Sequence, residues 1–248
     1  MLKLNSNYWA LLLALLVPVT FACADDDVLS EEELFEEDLG ESIDVKDPLE
    51  PVNRVIFKFN DFVYTNVADP VANTYEYVMP DTAQKGAGNF FHNLKYPVRL
   101  VGNLLQGKGK GALVETGRFA VNTTVGLFGV LDLASQVDGL EKPPKEDIGQ
   151  ALGSWGVSEG PYLVIPFLGP SNLRDFGGYL GDRCVNPWQE PFTVLDNWEW
   201  KLAYSVGDTV VSLPELLDMY EQMKGSAIDP YSSLKNGYTQ YRRSEIAK

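Results

Sequence analysis

Helix breakers set the scale of this fold: proline or glycine interrupts the chain at Asp69-Pro70, Pro80-Asp81, Pro97, residues 107–111 and Pro143-Pro144. Proline lacks the amide donor a helix needs, and glycine loses the most backbone entropy on ordering, so helices between such points are expected to be short. Apolar residues still recur at three- and four-residue spacing between the breaks, which predicts a mainly α fold. Behind Pro51, a residue suited to a first helical turn, one stripe comprises Val52, Val55, Ile56, Phe59, Phe62 and Val63. That stripe is expected to be buried. Phe57 and Tyr64, one heptad apart, place aromatics on a second face, so this helix either lies in a soluble core or meets something apolar beyond the chain.

Further along, Pro97 opens a pattern through Val98, Val101, Leu104 and Leu105, and Asp81 and Ser171 are candidate N-caps. Residues 194–213 and 214–224 read as two longer helices parted at Pro214, and Asp229 opens a polar-faced terminal one. Only residues 162–167 look extended. No repeat and no strand–helix alternation points to a parallel sheet.

The N-terminal run "YWALLLALLVPVTFA" follows Lys3 and is shorter than the roughly 20 apolar residues of a membrane span, which marks residues 1–22 as a signal peptide. No second stretch is long enough to span, so the mature chain is not expected to cross a bilayer as an ordinary helix. The junction "VTFACADDD" supports two readings: acylation of Cys23 as a lipoprotein anchor, or ordinary cleavage before Asp25. Either leaves Cys184 without a partner, since these are the 2 cysteines of the chain, and Cys184 is expected to be a buried small apolar residue.

A net charge of −15 argues against nucleic acid and against attraction to anionic headgroups, so any membrane contact has to be hydrophobic. Much of that charge lies in "DDDVLSEEELFEEDLGESIDVKD", and residues 23–46 are expected to form an acidic, solvated tether. A helical domain over 47–225 and a C-terminal helical tail over 226–248 complete the expected organisation.

Catalytic signatures are sparse. His92 is the single histidine, no G-x-S-x-G occurs, and a zinc site has no histidine partners to draw on. "GNLLQGKG" fits G-x-x-x-x-G-K, but Gly109 stands where Ser or Thr would hold magnesium and Pro97 spoils the preceding strand. No metal, cofactor or enzymatic activity is expected. In "NTTVGLFGVLDLAS", residues 122–135, Gly126 and Gly129 sit amid Val125, Leu127 and Phe128, which reads either as a core helix or as a hinged gate.

"DPLEPVNRVIFKFN", "NLLQG", "RFAVNTTVGLFGVLD" and "GQALGSWGVSEGPYLVIPFLGPSNLRD", with a later "DPY", together resemble the MlaA/VacJ family of bacterial outer-membrane lipoproteins across about residues 47–238. The resemblance implies a ring-shaped assembly of short amphipathic helices lying in one membrane leaflet, the periplasmic-facing leaflet of a Gram-negative outer membrane. It implies that mislocalised phospholipid leaves the outer leaflet through an amphipathic pore and passes to a periplasmic lipid-carrier protein, with a trimeric porin as membrane partner. On that reading the lipid path or gate comprises Ile56, Phe59, Asn122, Val125, Gly126, Leu127, Phe128, Gly129 and Ile148, and Cys23 is the lipid anchor. Arg174 and Asp175 either pair internally or face headgroups. A secreted hydrolase using paired carboxylates, and a periplasmic scaffold bound through the acidic tail, are the competing classes.

Overall fold

The structure is a computed structural model that describes residues 45–225 and 227–248. Helix α1 (Glu50–Val63) begins with Pro51 in its first turn and runs without a break through a π-helical turn (Tyr64–Ala68) into α2 (Asp69–Val78). The break expected at Asp69-Pro70 does not occur. The π turn, closed by Asp69 N–H on the Tyr64 carbonyl, widens the helix just where the Pro70 ring would otherwise crowd it. Three helices follow, α3 (Asp81–Leu94), α4 (Tyr96–Leu105) and α5 (Gly109–Thr124), then a 3₁₀ turn (Ala134–Gln136) and α6 (Ile148–Ser154).

The extended stretch is β1 (Tyr162–Ile165), paired antiparallel with β2 (Gly169–Asn172) so that Tyr162 faces Asn172 and Ile165 faces Gly169. Helix α7 (Leu173–Val185) follows directly, and its N-cap is Asn172, whose side chain accepts from Asp175 N–H at 2.8 Å; Ser171 is a strand residue instead. Helix α8 (Trp198–Lys224) passes through Pro214 as one rod of 27 residues. Leu213 and Leu216, on either side of the proline, are buried with Ala72 of α2, and this packing holds both halves in line where the sequence predicts two helices. Helix α9 (Pro230–Ala247) ends the chain.

The largest correction concerns α1. Its buried residues are Asn53, Phe57 and Asn60, continued by Tyr64, while Val52, Val55, Phe59 and Phe62 of the expected core stripe are exposed. The cause is what α1 packs against. The hairpin offers buried backbone groups as well as the Tyr162 and Val164 side chains, and buried backbone groups need partners. Asn53 donates to Tyr162 O at 3.0 Å and accepts from Val164 N–H at 3.0 Å, while Asn60 donates to Ile165 O at 2.9 Å and accepts from Phe167 N–H at 2.8 Å. Tyr64 Oη completes the row by donating to Phe167 O at 2.8 Å. Two asparagines one heptad apart therefore serve the hairpin as a neighbouring strand would.

Around this clamp lies an aromatic core of Phe57, Tyr64, Tyr162, Tyr220, Tyr231 and Tyr238. Their hydroxyls reach carboxylates at its edge: Tyr231 donates to Asp47, Tyr220 to Asp61 and Tyr238 to Asp175. Tyr231, Leu234 and Tyr238 belong to α9, so the segment expected to be a polar-faced tail is a wall of the core. The glycine-dense segment after residue 149 has its reason here as well. Helix α6 crosses α7 so closely that a Cβ on Gly178 would lie 2.3 Å from Gly149 N. Cys184, expected to be buried, is exposed; it lies six residues beyond Gly178, roughly 240° around the helix from the face that packs.

Candidate functional site

Outside the aromatic core, a set of apolar side chains is exposed while a set of charged and amide side chains is buried. Val52, Val55, Phe59 and Phe62 of α1 and Val67, Val71 and Val78 beyond it form an exposed apolar surface, while Arg99, Asn103, Glu115, Arg118, Gln150 and Arg242 are buried. Contiguous exposed apolar surface marks contact with a membrane or another apolar partner. Among the described residues no helix is long and apolar enough to cross a membrane.

Of the residues assigned to a lipid path, Ile56 is half-buried against the aromatic core, and Phe59 packs edge-on against Phe167 at the hairpin tip, ring centroids 5.1 Å apart. Ile148 starts α6 and lies over Gly181 of α7. The remainder converge in one tight turn at the end of α5. Gly129 N–H donates to Gly126 O at 3.2 Å, and the two residues between them are left-handed, Leu127 at φ 54° and Phe128 at φ 60°. Such backbone costs roughly 1–2 kcal/mol for each residue with a Cβ. Both side chains nevertheless point outward, 64% and 71% exposed.

Both glycines sit at points of close approach. A Cβ on Gly126 would lie 2.3 Å from Leu131 O, and one on Gly129 would lie 2.4 Å from Asn93 Cβ. The turn's base is also tied down. Asn122 donates to Asp132 at 2.8 Å and accepts from Ala134 N–H at 2.9 Å, while Arg118 pairs with Asp132 at 2.7 Å. Burial would raise the Asp132 carboxyl, but the Asn122 hydrogen bond and Arg118 outweigh it and hold it below the ordinary carboxylate range. Asn93 bonds Thr123 Oγ1 at 2.9 Å and Phe128 O at 3.3 Å. Asn93, Arg118 and Asp132 escape a reading of the sequence; their signal is only that they are polar residues beside an apolar run.

Arg174 and Asp175 form an internal pair at 2.9 Å, both side chains buried, within a larger network. Arg242 of α9 bonds Asp147 at 2.7 and 3.0 Å and Asp175 at 3.0 and 3.2 Å, and Tyr238 and Asn172 also donate to Asp175. Burial would push the Asp175 carboxyl up, but Arg242 and then Arg174 hold it below the usual range. Asp182 nearby goes the other way: burial, then Asp147, raises it well above. The His92 imidazole is held well below its ordinary value by burial, then by Arg99, Lys142, Lys145 and Arg118. Among the described residues no group of His, Cys, Asp and Glu is placed to hold a metal ion. Cys23 lies outside the described residues.

Comparison with known proteins adds independent findings. The family model for MlaA lipoproteins matches residues 45–245. The chain is 32% identical over 200 residues to the intermembrane phospholipid transport system lipoprotein MlaA of Escherichia coli (strain K12), covering 78% of this chain and 76% of that one. The protein of the same description from Haemophilus influenzae is 30% identical over 195 residues, with 78% of this chain and 76% of that one covered. A solved structure described as the structural basis for maintenance of bacterial outer membrane lipid asymmetry superposes with a TM-score of 0.66 at 28% identity, over 81% of this chain and 99% of the other.

Proposed function

The chain belongs to the MlaA lipoprotein family, and from that premise we propose that it is a phospholipid-transport component of the outer membrane that maintains lipid asymmetry. Its helices form a ring lying in the periplasmic-facing leaflet, and mislocalised phospholipid leaves the outer leaflet through an amphipathic path to a periplasmic lipid-carrier protein. A trimeric porin is the membrane partner, acylated Cys23 the anchor, and no bond of the lipid is made or broken. Ile56 and Phe59 of α1, with Ile148 and the turn carrying Asn122, Val125, Gly126, Leu127, Phe128 and Gly129, border the path and gate it.

The observation that carries this reading is the inversion of α1, whose apolar face is exposed and whose asparagine face is buried. In water that arrangement forfeits about 25 cal/mol for each Å² of apolar surface left out of the core, whereas in a leaflet the exposed face needs no protein cover. Fractionation tests it. The protein is expected to stay with outer membranes through a high-salt wash, since hydrophobic insertion is not screened, and release by salt would favour a scaffold docked by charge. The gate is tested by a crosslink between residue 56 and the turn, which is expected to block lipid passage; undiminished passage with the crosslink confirmed would remove the gate from the mechanism.

A further inference from the structure

We propose that the turn at residues 126–129 is a preformed apolar wedge that seats Leu127 and Phe128 among phospholipid acyl chains. This deepens the lipid-transport reading and rests on it. A turn with two left-handed central residues ordinarily carries asparagine and glycine, which tolerate that backbone. Here leucine and phenylalanine occupy both places, and their exposure means that no packing within the chain compensates the strain. Their selection has to come from what they touch outside.

The backbone identifies that partner. Within the turn and its flanks the amides of Val125, Gly126, Phe128, Gly129, Val130 and Leu131 all donate to carbonyls of residues 121–127. The carbonyls of Phe128 and Val130 accept from Asn93 at 3.3 Å and Asn89 at 3.4 Å, side chains of α3. Irregular backbone is excluded from hydrocarbon where its polar groups go unpaired, and this segment approaches the condition by pairing every amide from 125 to 131 except that of Leu127. No charged residue occurs from 119 to 131, and the flanking Arg118 and Asp132 neutralise each other at 2.7 Å. From residue 119 to 131 the exposed polar side chain is Thr124, which donates back to Ala120 O at 2.7 Å, so the tip offers little of the polar rim a protein partner uses. Acyl chains require none.

Two variants of the full mature chain test the wedge. Leu127→Asn/Phe128→Gly supplies the residues this turn ordinarily takes; its thermal midpoint in detergent is expected to rise by about 5–10 °C as the strain is relieved. An unchanged or lowered midpoint would show that no strain is stored there and overturn that half of the proposal. The contact is read in vesicles containing acyl-chain-brominated phosphatidylcholine, with Phe128→Trp and, as reference on the α1 exterior, Phe62→Trp, each against the unmodified chain. Bromine is expected to quench the added fluorescence in both. Quenching of Phe62→Trp alone, with Phe128→Trp open to aqueous acrylamide, overturns the wedge and leaves the membrane reading standing. Quenching of neither overturns both.

Discussion

Replacing Asn60 by leucine isolates the clamp on which the inverted helix depends. Asn60 is 1% exposed and holds the hairpin at two points, Ile165 O at 2.9 Å and Phe167 N–H at 2.8 Å. Leucine has a similar volume but leaves Phe167 N–H unpaired away from water, at about 1–3 kcal/mol, and removes one of the donors to Ile165 O, which keeps Leu168 N–H at 3.2 Å. Burial of the leucine offsets part of this, as does relaxation of Phe167, whose φ of 65° is held by Asn60 on one side and Tyr64 on the other. The net expectation is a loss of about 1–2 kcal/mol, or roughly 2–8 °C in thermal midpoint. Asn60→Asp discriminates further. It keeps the acceptor for Phe167 N–H, loses the donor to Ile165 O and buries a charge, so it should be at least as damaging at pH 7 and partly recover in acid, where the protonated carboxyl can donate again. Denaturant unfolding followed by near-ultraviolet circular dichroism reads both. A loss below about 0.5 kcal/mol for leucine, or an aspartate variant that does not improve in acid, would refute the view that these bonds substitute for a neighbouring strand.

Arg242→Met removes the shared partner of half-buried Asp147 and buried Asp175 and is expected to cost about 3 kcal/mol, because Asp147 loses its cation while Asp175 keeps Arg174; denaturant midpoints check it. Asp182, with its folded-state value raised, lowers stability as pH climbs from the unfolded carboxylate value near 3.9 through the folded one. Asp182→Asn keeps an acceptor for Ile148 N–H and should therefore be more stable than the parent at pH 8 and equal to it near pH 3.5 in a thermal-melt pH series. Asp132 and Asp175 have depressed values, so their contribution is present above about 3.9 and disappears as pH falls through the folded values; the acid limb should persist in that variant. Intact mass of the mature chain is expected to show acylated Cys23, whereas an unmodified chain beginning at Asp25 would remove the anchor.

Local patterns were readable where a single segment decides the outcome. The mainly α character, the first-turn prolines of α1 and α4 and the extended stretch at 162–165 all follow from spacing and backbone chemistry within a few residues. The orientation of α1 was not readable, because periodicity identifies an apolar stripe without saying whether protein or another apolar medium covers it. Its second face held the clue: Asn53 and Asn60 share the heptad spacing of Phe57 and Tyr64, and the partner that draws asparagine inward is a hairpin more than 100 positions away. Pro70 and Pro214 misled for a related reason, since a π turn before one and leucine packing around the other are tertiary accommodations. In the candidate site the family-matched segment contains the turn, while its left-handed backbone and the asparagines that tie it down appear only once α3 lies beside it.

Phospholipid in the outer leaflet of living cells tests the central claim most directly. A membrane-impermeant amine reagent, applied to intact cells, counts phosphatidylethanolamine exposed at the surface. Loss of the protein is predicted to raise that count, and expression of the full chain to restore it. The account is contradicted if surface phosphatidylethanolamine in cells lacking the protein equals that of cells containing it.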